Sequence, residues 1–68
     1  MRFYQLTQAE VEAVNALNSG RTDVLLIVCC VEGKTGVDAD ALRREEYAPY
    51  LEAIGGTFQE ERAVTLPD

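Results

Sequence analysis

Val24-Leu25-Leu26-Ile27-Val28-Cys29-Cys30-Val31 is the one continuous apolar run in the chain, and the charged residues Asp23 and Glu32 bound it. Half of its residues are β-branched, a composition that favours a strand over a helix. Successive strand residues point to opposite faces, and both faces of this run are apolar. The run therefore predicts a central strand covered on both sides, not an edge strand. It is too short to cross a membrane, which requires about 20 apolar residues.

The segment before this run predicts a helix over residues 8–19. Thr7 and Glu10 stand at the two positions of a capping box, in which each side chain bonds the backbone amide of the other residue. Apolar residues then recur at helical spacing, and Gly20 is a typical stop. Residues 2–6, which precede the helix, are expected to form an edge strand or an extended arm.

Residues 38–54 predict a second helix, capped by Asp38 or Asp40. Pro49 interrupts its pattern, because proline removes an amide donor and crowds the carbonyl group four residues earlier. The helix is therefore expected either to kink near Glu45–Tyr47 or to split into two short helices, with Pro49 opening the second.

Residues 57–66 predict a last strand at a sheet edge, because one of its faces is polar and Pro67 ends it. The alternation is imperfect over residues 59–62, so a bulge or a short turn is the expected point at which the strand would split. The expected order is β-α-β-α-β. This order predicts one small α+β domain over residues 1–68, with two helices and a sheet of two or three strands. If the second and third strands were adjacent and parallel, the second helix would form a right-handed crossover between them.

The length of 68 residues limits the core, because a chain of this size buries only about 60% of the surface that its unfolded form exposes. Cys29 and Cys30 do not offer a disulfide, since adjacent strand residues point to opposite faces. They are expected to be reduced core residues, which suits a cytoplasmic protein. Self-association, for instance as a homodimer, or a partner chain is the expected supplement to the small core.

The sequence gives no support for catalysis, a cofactor or a metal site. The chain has no histidine, which removes the commonest general base and the usual catalytic zinc ligand. Gly33-Lys34-Thr35 follows the apolar run but lacks the first glycine of a phosphate-binding loop, since Val28 stands at that position. Asp38 and Asp40 lack the glycine and distal glutamate of a calcium loop. We therefore expect a protein that is not an enzyme.

Acidic residues outnumber basic ones by twelve to six, and eight of the twelve lie within residues 38–68. Phosphate groups repel such a protein, so direct binding to nucleic acid or to an anionic membrane is not expected. A protein partner with a basic surface is expected instead. Tyrosines are frequent at binding hot spots. The candidate partner-binding residues are Glu45, Glu46, Tyr47, Tyr50, Glu52, Glu60 and Glu61.

In size, charge and lack of a catalytic site, the chain resembles the small inhibitors that phages make against bacterial defence, including anti-CRISPR proteins. The resemblance is one of type, because no motif carries it and those inhibitors share no common fold. It implies an inhibitor or regulator that occupies the basic, nucleic-acid-handling surface of a partner. The alternative is a structural or assembly subunit that acts through an apolar homo- or hetero-oligomer interface. This alternative rests on the apolar run, whose two faces are not expected to be fully covered by two short helices.

Overall fold

The computed structural model describes residues 1–23 and 26–67, and in them one antiparallel sheet carries three α-helices. The strands are β1 (Arg2–Gln5), β2 (Cys29–Val31), β3 (Lys34–Asp38) and β4 (Ala63–Thr65). The helices are α1 (Gln8–Asn18), α2 (Ala39–Leu42) and α3 (Ala48–Ala53), and single 3-10 turns span Glu45–Tyr47 and Glu60–Arg62. The strand order across the sheet is β2-β3-β1-β4, so β1 and β3 form its centre.

The core lies between one face of the sheet and the helices. Tyr4 of β1 and Val37 of β3 are paired across the two central strands, and both are fully buried. They join one cluster with Val14 of α1, Leu42 of α2 and Tyr50 of α3. Each helix thus contributes a buried side chain to the same core, which makes the domain a two-layer α+β structure.

Phe3 lies on the other face of the sheet, since strand neighbours alternate and Tyr4 faces the helices. Phe3 is nevertheless fully buried. Its ring reaches over Gly36 of β3, where a Cβ atom would stand only 2.7 Å from the ring and 2.2 Å from the carbonyl oxygen of Tyr4. Glycine at position 36 therefore lets an aromatic ring of one central strand approach the backbone of the other closely.

Helix α1 confirms the expected N-terminal helix. The hydroxyl of Thr7 accepts a hydrogen bond from the Glu10 amide at 3.2 Å, and the Glu10 carboxylate accepts one from the Thr7 amide at 2.8 Å. Both bonds of the capping box are therefore made. Leu6, just before the cap, is buried in the core, and Val11 packs against it.

The expectation that the apolar run forms a central strand is wrong. Only Cys29–Val31 of the apolar run forms a strand, and it lies at an edge of the sheet, paired with β3 alone. Leu26 to Val28 are outside any strand, and residues 24 and 25 lie outside the described residues. The reason is topological: a two-residue turn folds β3 back onto β2, and the other side of β3 is already bonded to β1. The N-terminal segment, expected as an edge strand or an arm, is central.

The second half of the chain agrees with the expectation only in part. Of the two alternatives for residues 38–54, the split is found and the kink is not: helix α2 ends at Leu42, and Pro49 lies in the first turn of the separate helix α3. The strand expected over residues 57–66 is reduced to β4, which follows the 3-10 turn Glu60–Arg62. Every strand pairing is antiparallel, so the expected parallel crossover is absent from the described sheet.

Candidate protein-binding surfaces

The two tyrosines of the candidate site pack into the domain. Tyr50 is fully buried, and its hydroxyl donates a hydrogen bond to the side-chain oxygen of Asn18 at 2.6 Å. Tyr47 is half-buried and packs against the core, with its ring centre 6.1 Å from that of Tyr50. Tyr50 therefore holds α3 to α1 and offers no surface to a partner, while only part of Tyr47 reaches solvent.

Glu60 is neutralised within the chain. Its carboxylate forms ion pairs with Arg2 of β1 and with Arg43, which follows α2. Arg2 also lies 3.8 Å from the carboxylate of Asp40. These two cations and two anions form one balanced network that holds the 3-10 turn of Glu60 against β1 and α2. Because Glu60 serves this network, it adds little to the outward negative field.

The four remaining glutamates of the candidate site are exposed, and within the described residues none of them is ion-paired: Glu45, Glu46, Glu52 and Glu61. Glu45 and Glu46 form most of the 3-10 turn that separates α2 from α3. The ion pair between Arg43 and Glu60 joins the segment just before Glu45 to the segment that holds Glu61. The four carboxylates thus project from three segments: the turn after α2, helix α3 and the turn before β4. We call these four residues the acidic surface.

Arg62 is the last residue of the 3-10 turn Glu60–Arg62 and binds two neighbouring segments. Its guanidinium donates two hydrogen bonds to Glu10, one of them at 3.0 Å, and a further bond to the backbone carbonyl of Gln5. It also lies over the ring of Tyr4, at 4.6 Å from the ring centre. The hydrogen bond from Arg62 lowers the pKa of Glu10 more than burial raises it, and Glu10 in turn raises the pKa of Arg62. Arg62 is thus a structural residue that ties the end of the chain to β1 and α1.

A shallow depression of about 390 Å³ lies beside this tie, where β1 ends and β4 begins. Its lining is mixed in character and consists of Gln5, Leu6, Thr7, Glu61, Arg62 and Val64. Thr7 and Arg62 are committed to bonds within the chain, to the cap of α1 and to Glu10 respectively. The carboxylate of Glu61 is the charged group of the lining that is left for a partner, so the depression extends the acidic surface.

The β2 edge of the sheet was missed by the sequence reasoning, which placed the apolar run in the interior. Ile27, just before β2, exposes 73% of its side-chain surface, and Cys30 in the middle of β2 is also exposed. The signal available in the sequence was the small number of helical residues, since two short helices cannot cover both faces of a sheet. We call residues 26–31 the apolar edge.

Other kinds of site find no support in the described part of the chain. No group of three or more histidine, cysteine, aspartate or glutamate side chains is placed to hold a metal ion. No helix is both long enough and apolar enough to cross a membrane. Comparison with protein families, with curated proteins and with solved structures found no match for this chain.

Proposed function

We propose that this protein is a non-catalytic acidic module that binds a basic surface of a partner protein through the acidic surface. One observation carries the proposal. The arginines at positions 2, 21, 43 and 62 are each ion-paired with a carboxylate of the same chain, whereas the four glutamates of the acidic surface are not. The internal pairs use four of the six basic side chains, and the net charge of the chain is −6, so the field around these glutamates is mainly negative although Arg44 adjoins Glu45.

The kind of partner follows from this field. Basic protein surfaces are concentrated where proteins bind the phosphates of nucleic acids. An acidic domain of 68 residues that covers such a surface competes with the nucleic acid, and this makes an inhibitor or regulator the preferred form of the proposal. A phage protein directed against bacterial defence is one case of this class. Because Tyr50 is buried, Tyr47 is the one tyrosine of the candidate site that reaches solvent, and binding relies mainly on charge.

The experiment compares two double variants that change the net charge equally. Glu45→Gln with Glu46→Gln removes two charges from the acidic surface, whereas Glu12→Gln with Glu32→Gln removes two exposed charges elsewhere. Each tagged protein is used to capture partners from bacterial lysate at low and high salt, and the affinity for the captured protein is then measured by calorimetry. We expect about a tenfold loss of affinity for the first variant and little for the second, since a charge-led contact weakens when its own charges are removed.

Salt provides the second readout. Binding through the acidic surface is expected to weaken steeply as the salt concentration rises, because exposed charges are screened. Equal affinities for the two double variants, or binding that is indifferent to salt, would contradict the proposal.

The alternative is an assembly subunit that works through an apolar interface, and the exposure of Ile27 favours it. Such an interface is largely insensitive to salt, which separates it from the acidic mode in the same capture experiment. Retention of a partner through both washes by the wild-type protein and by both double variants supports the alternative.

A further inference from the structure

The hydrogen-bond pattern of the sheet shows which backbone groups of β2 point away from it. The amide of Leu6 donates to the carbonyl of Thr35 at 2.9 Å, so Thr35 directs its backbone groups toward β1. Cys30 lies opposite Thr35 in the β2–β3 ladder. In an antiparallel ladder, residues that face each other alternate between bonded and non-bonded pairs. Cys30 therefore forms a non-bonded pair with Thr35, and its own N–H and C=O point outward from an edge that no strand of the described residues occupies.

Apart from the shortness of β2, this edge lacks the features that normally prevent strands from pairing. The apolar edge, residues 26–31, contains no charged residue, no proline and no glycine. Exposed edges of this composition are templates for another strand. The opposite edge is limited by Pro67, which lies two residues after the end of β4 and has no amide to donate. The two edges of one sheet thus differ in their capacity to accept a further strand.

We propose that a second copy of this chain adds to the apolar edge, with the two β2 strands antiparallel about a twofold axis at Cys30. A twofold axis there pairs the outward N–H of each Cys30 with the outward C=O of the other, so one set of groups satisfies both copies. The charge distribution also favours a contact at the apolar edge. Two chains of net charge −6 repel each other across most surfaces, whereas the six residues of the apolar edge carry no charge. This inference does not depend on binding through the acidic surface.

The geometry determines what the contact brings together. Cys30 faces Cys30 of the second copy, and Cys29 faces Val31 of the second copy on the sheet face away from the helices. The two sheets become one sheet that runs through both copies. Strands of three residues bury much less than the roughly 1,200 Å² of a stable interface. The dimer is therefore weak, with a dissociation constant between about 10 μM and about 1 mM.

The adjacent cysteines provide a matched pair of probes. In a bonded antiparallel pair the Cα atoms lie about 5.5 Å apart, within the Cα range of a disulfide, and the Cβ atoms about 5 Å apart, so a small shift of the two strands brings the sulfur atoms into bonding distance. The variant Cys29→Ser keeps only the thiol of Cys30, and Cys30→Ser keeps only that of Cys29. Diamide is the oxidant: two thiols lose two electrons and two protons to it and form one disulfide. We expect Cys29→Ser to form a covalent dimer about tenfold faster than Cys30→Ser, because pre-alignment replaces random collision.

Exposure alone would also make Cys30 react faster, so a third variant measures collision. It carries Cys29→Ser, Cys30→Ser and Ser19→Cys, which moves a single thiol to an exposed position at the end of α1. A dimer that forms from this variant as fast as from Cys29→Ser would overturn the proposal. A clear excess for Cys29→Ser, increasing with protein concentration, supports it.

Sedimentation equilibrium under reducing conditions tests the non-covalent contact. Cys30→Pro removes the outward N–H without removing a bond to β3, and Cys30→Thr keeps this donor as a control. The wild type and Cys30→Thr should show dimer at about 1 mM, whereas Cys30→Pro should remain monomeric, with circular dichroism confirming that all three are folded. If the wild type stays monomeric throughout, or if Cys30→Pro dimerises equally, the twofold contact at Cys30 is excluded.

Discussion

Strand β1 and the apolar edge have exchanged the positions that their compositions suggest. Two of the four residues of β1 are polar or charged, yet this strand is central, and Phe3 and Tyr4 are fully buried. The apolar edge has no polar residue between Leu26 and Val31, yet its strand lies at the rim of the sheet, and Ile27 is mostly exposed although Leu26 is buried. Burial in this protein follows from the order of the strands more than from the hydrophobicity of each strand. An apolar strand at the rim of a sheet therefore leaves apolar side chains exposed to solvent.

The largest test of this comparison replaces one apolar side chain in each region. Phe3→Ala should lower the free energy of unfolding by about 4 kcal/mol, because it empties a fully buried position in a small domain. Ile27→Ala should change it by less than about 0.5 kcal/mol, because its side chain is already in water. Urea denaturation followed by circular dichroism measures both. A larger loss for Ile27→Ala than for Phe3→Ala would reverse the assignment of centre and edge.

The parts of the fold that the sequence predicted are the local ones. The capping box of Thr7 and Glu10 needs only four consecutive residues, and the structure makes both of its bonds. The α+β class likewise follows from the alternation of helical and extended segments. The order of the strands could not be predicted from the sequence, because it depends on contacts between segments that are distant in the chain. Arg2 at one end pairs with Glu60 near the other end, and no local pattern announces such a contact.

The candidate site was predictable to the same extent. The exposed carboxylates Glu45, Glu46, Glu52 and Glu61 were named from charge alone, and the structure leaves them exposed. The burial of Tyr50 could not be read from the sequence, because it depends on the packing of α3 against α1 and on a hydrogen bond to Asn18. The neutralisation of Glu60 is a second case, since its two cationic partners lie in distant segments.

A second test concerns the close approach of β1 and β3. Gly36→Ala should destabilise the protein by about 3 kcal/mol or prevent folding, because the new methyl group would overlap the carbonyl of Tyr4 and the ring of Phe3. Gly33→Ala is the control. Its site has open space around it but a φ of +78°, so its cost is only about 1 kcal/mol of backbone strain. Thermal denaturation of both variants separates crowding from strain, and equal costs would show that the two strands do not approach so closely.

A third test concerns the flank of β1 that Arg62 secures. Arg62→Gln should cost about 2 kcal/mol at neutral pH, because it breaks charge-assisted hydrogen bonds to a largely buried carboxylate. The bond to Arg62 lowers the pKa of Glu10 from its ordinary 4.5 in the folded protein. This stabilisation is therefore complete above that ordinary pKa and is lost as the pH falls through the lowered value.

The pH dependence distinguishes this ion pair from simple packing. Denaturation midpoints measured across the acid range should fall less steeply for Glu10→Gln than for the wild type, since the variant has no carboxylate to protonate. Glu12→Gln, on the same helix but exposed, is the control and should follow the wild type. Identical acid profiles for the wild type and Glu10→Gln would show that Arg62 acts through its contacts with the ring of Tyr4 and the carbonyl of Gln5, and not through Glu10.

The test with the smallest expected effect concerns the turn that joins β2 to β3. Glu32 and Gly33 occupy the turn with φ values of 51° and 78°, and positive φ at both central positions is the mark of a type I′ hairpin. Asparagine tolerates this conformation better than glutamate does, so Glu32→Asn should raise the free energy of unfolding by about 0.5 kcal/mol. Glu32→Gln removes the same charge without this tolerance and serves as the control. A gain shared by both variants would assign the effect to charge, whereas a gain confined to asparagine shows that the turn holds β2 at the rim of the sheet.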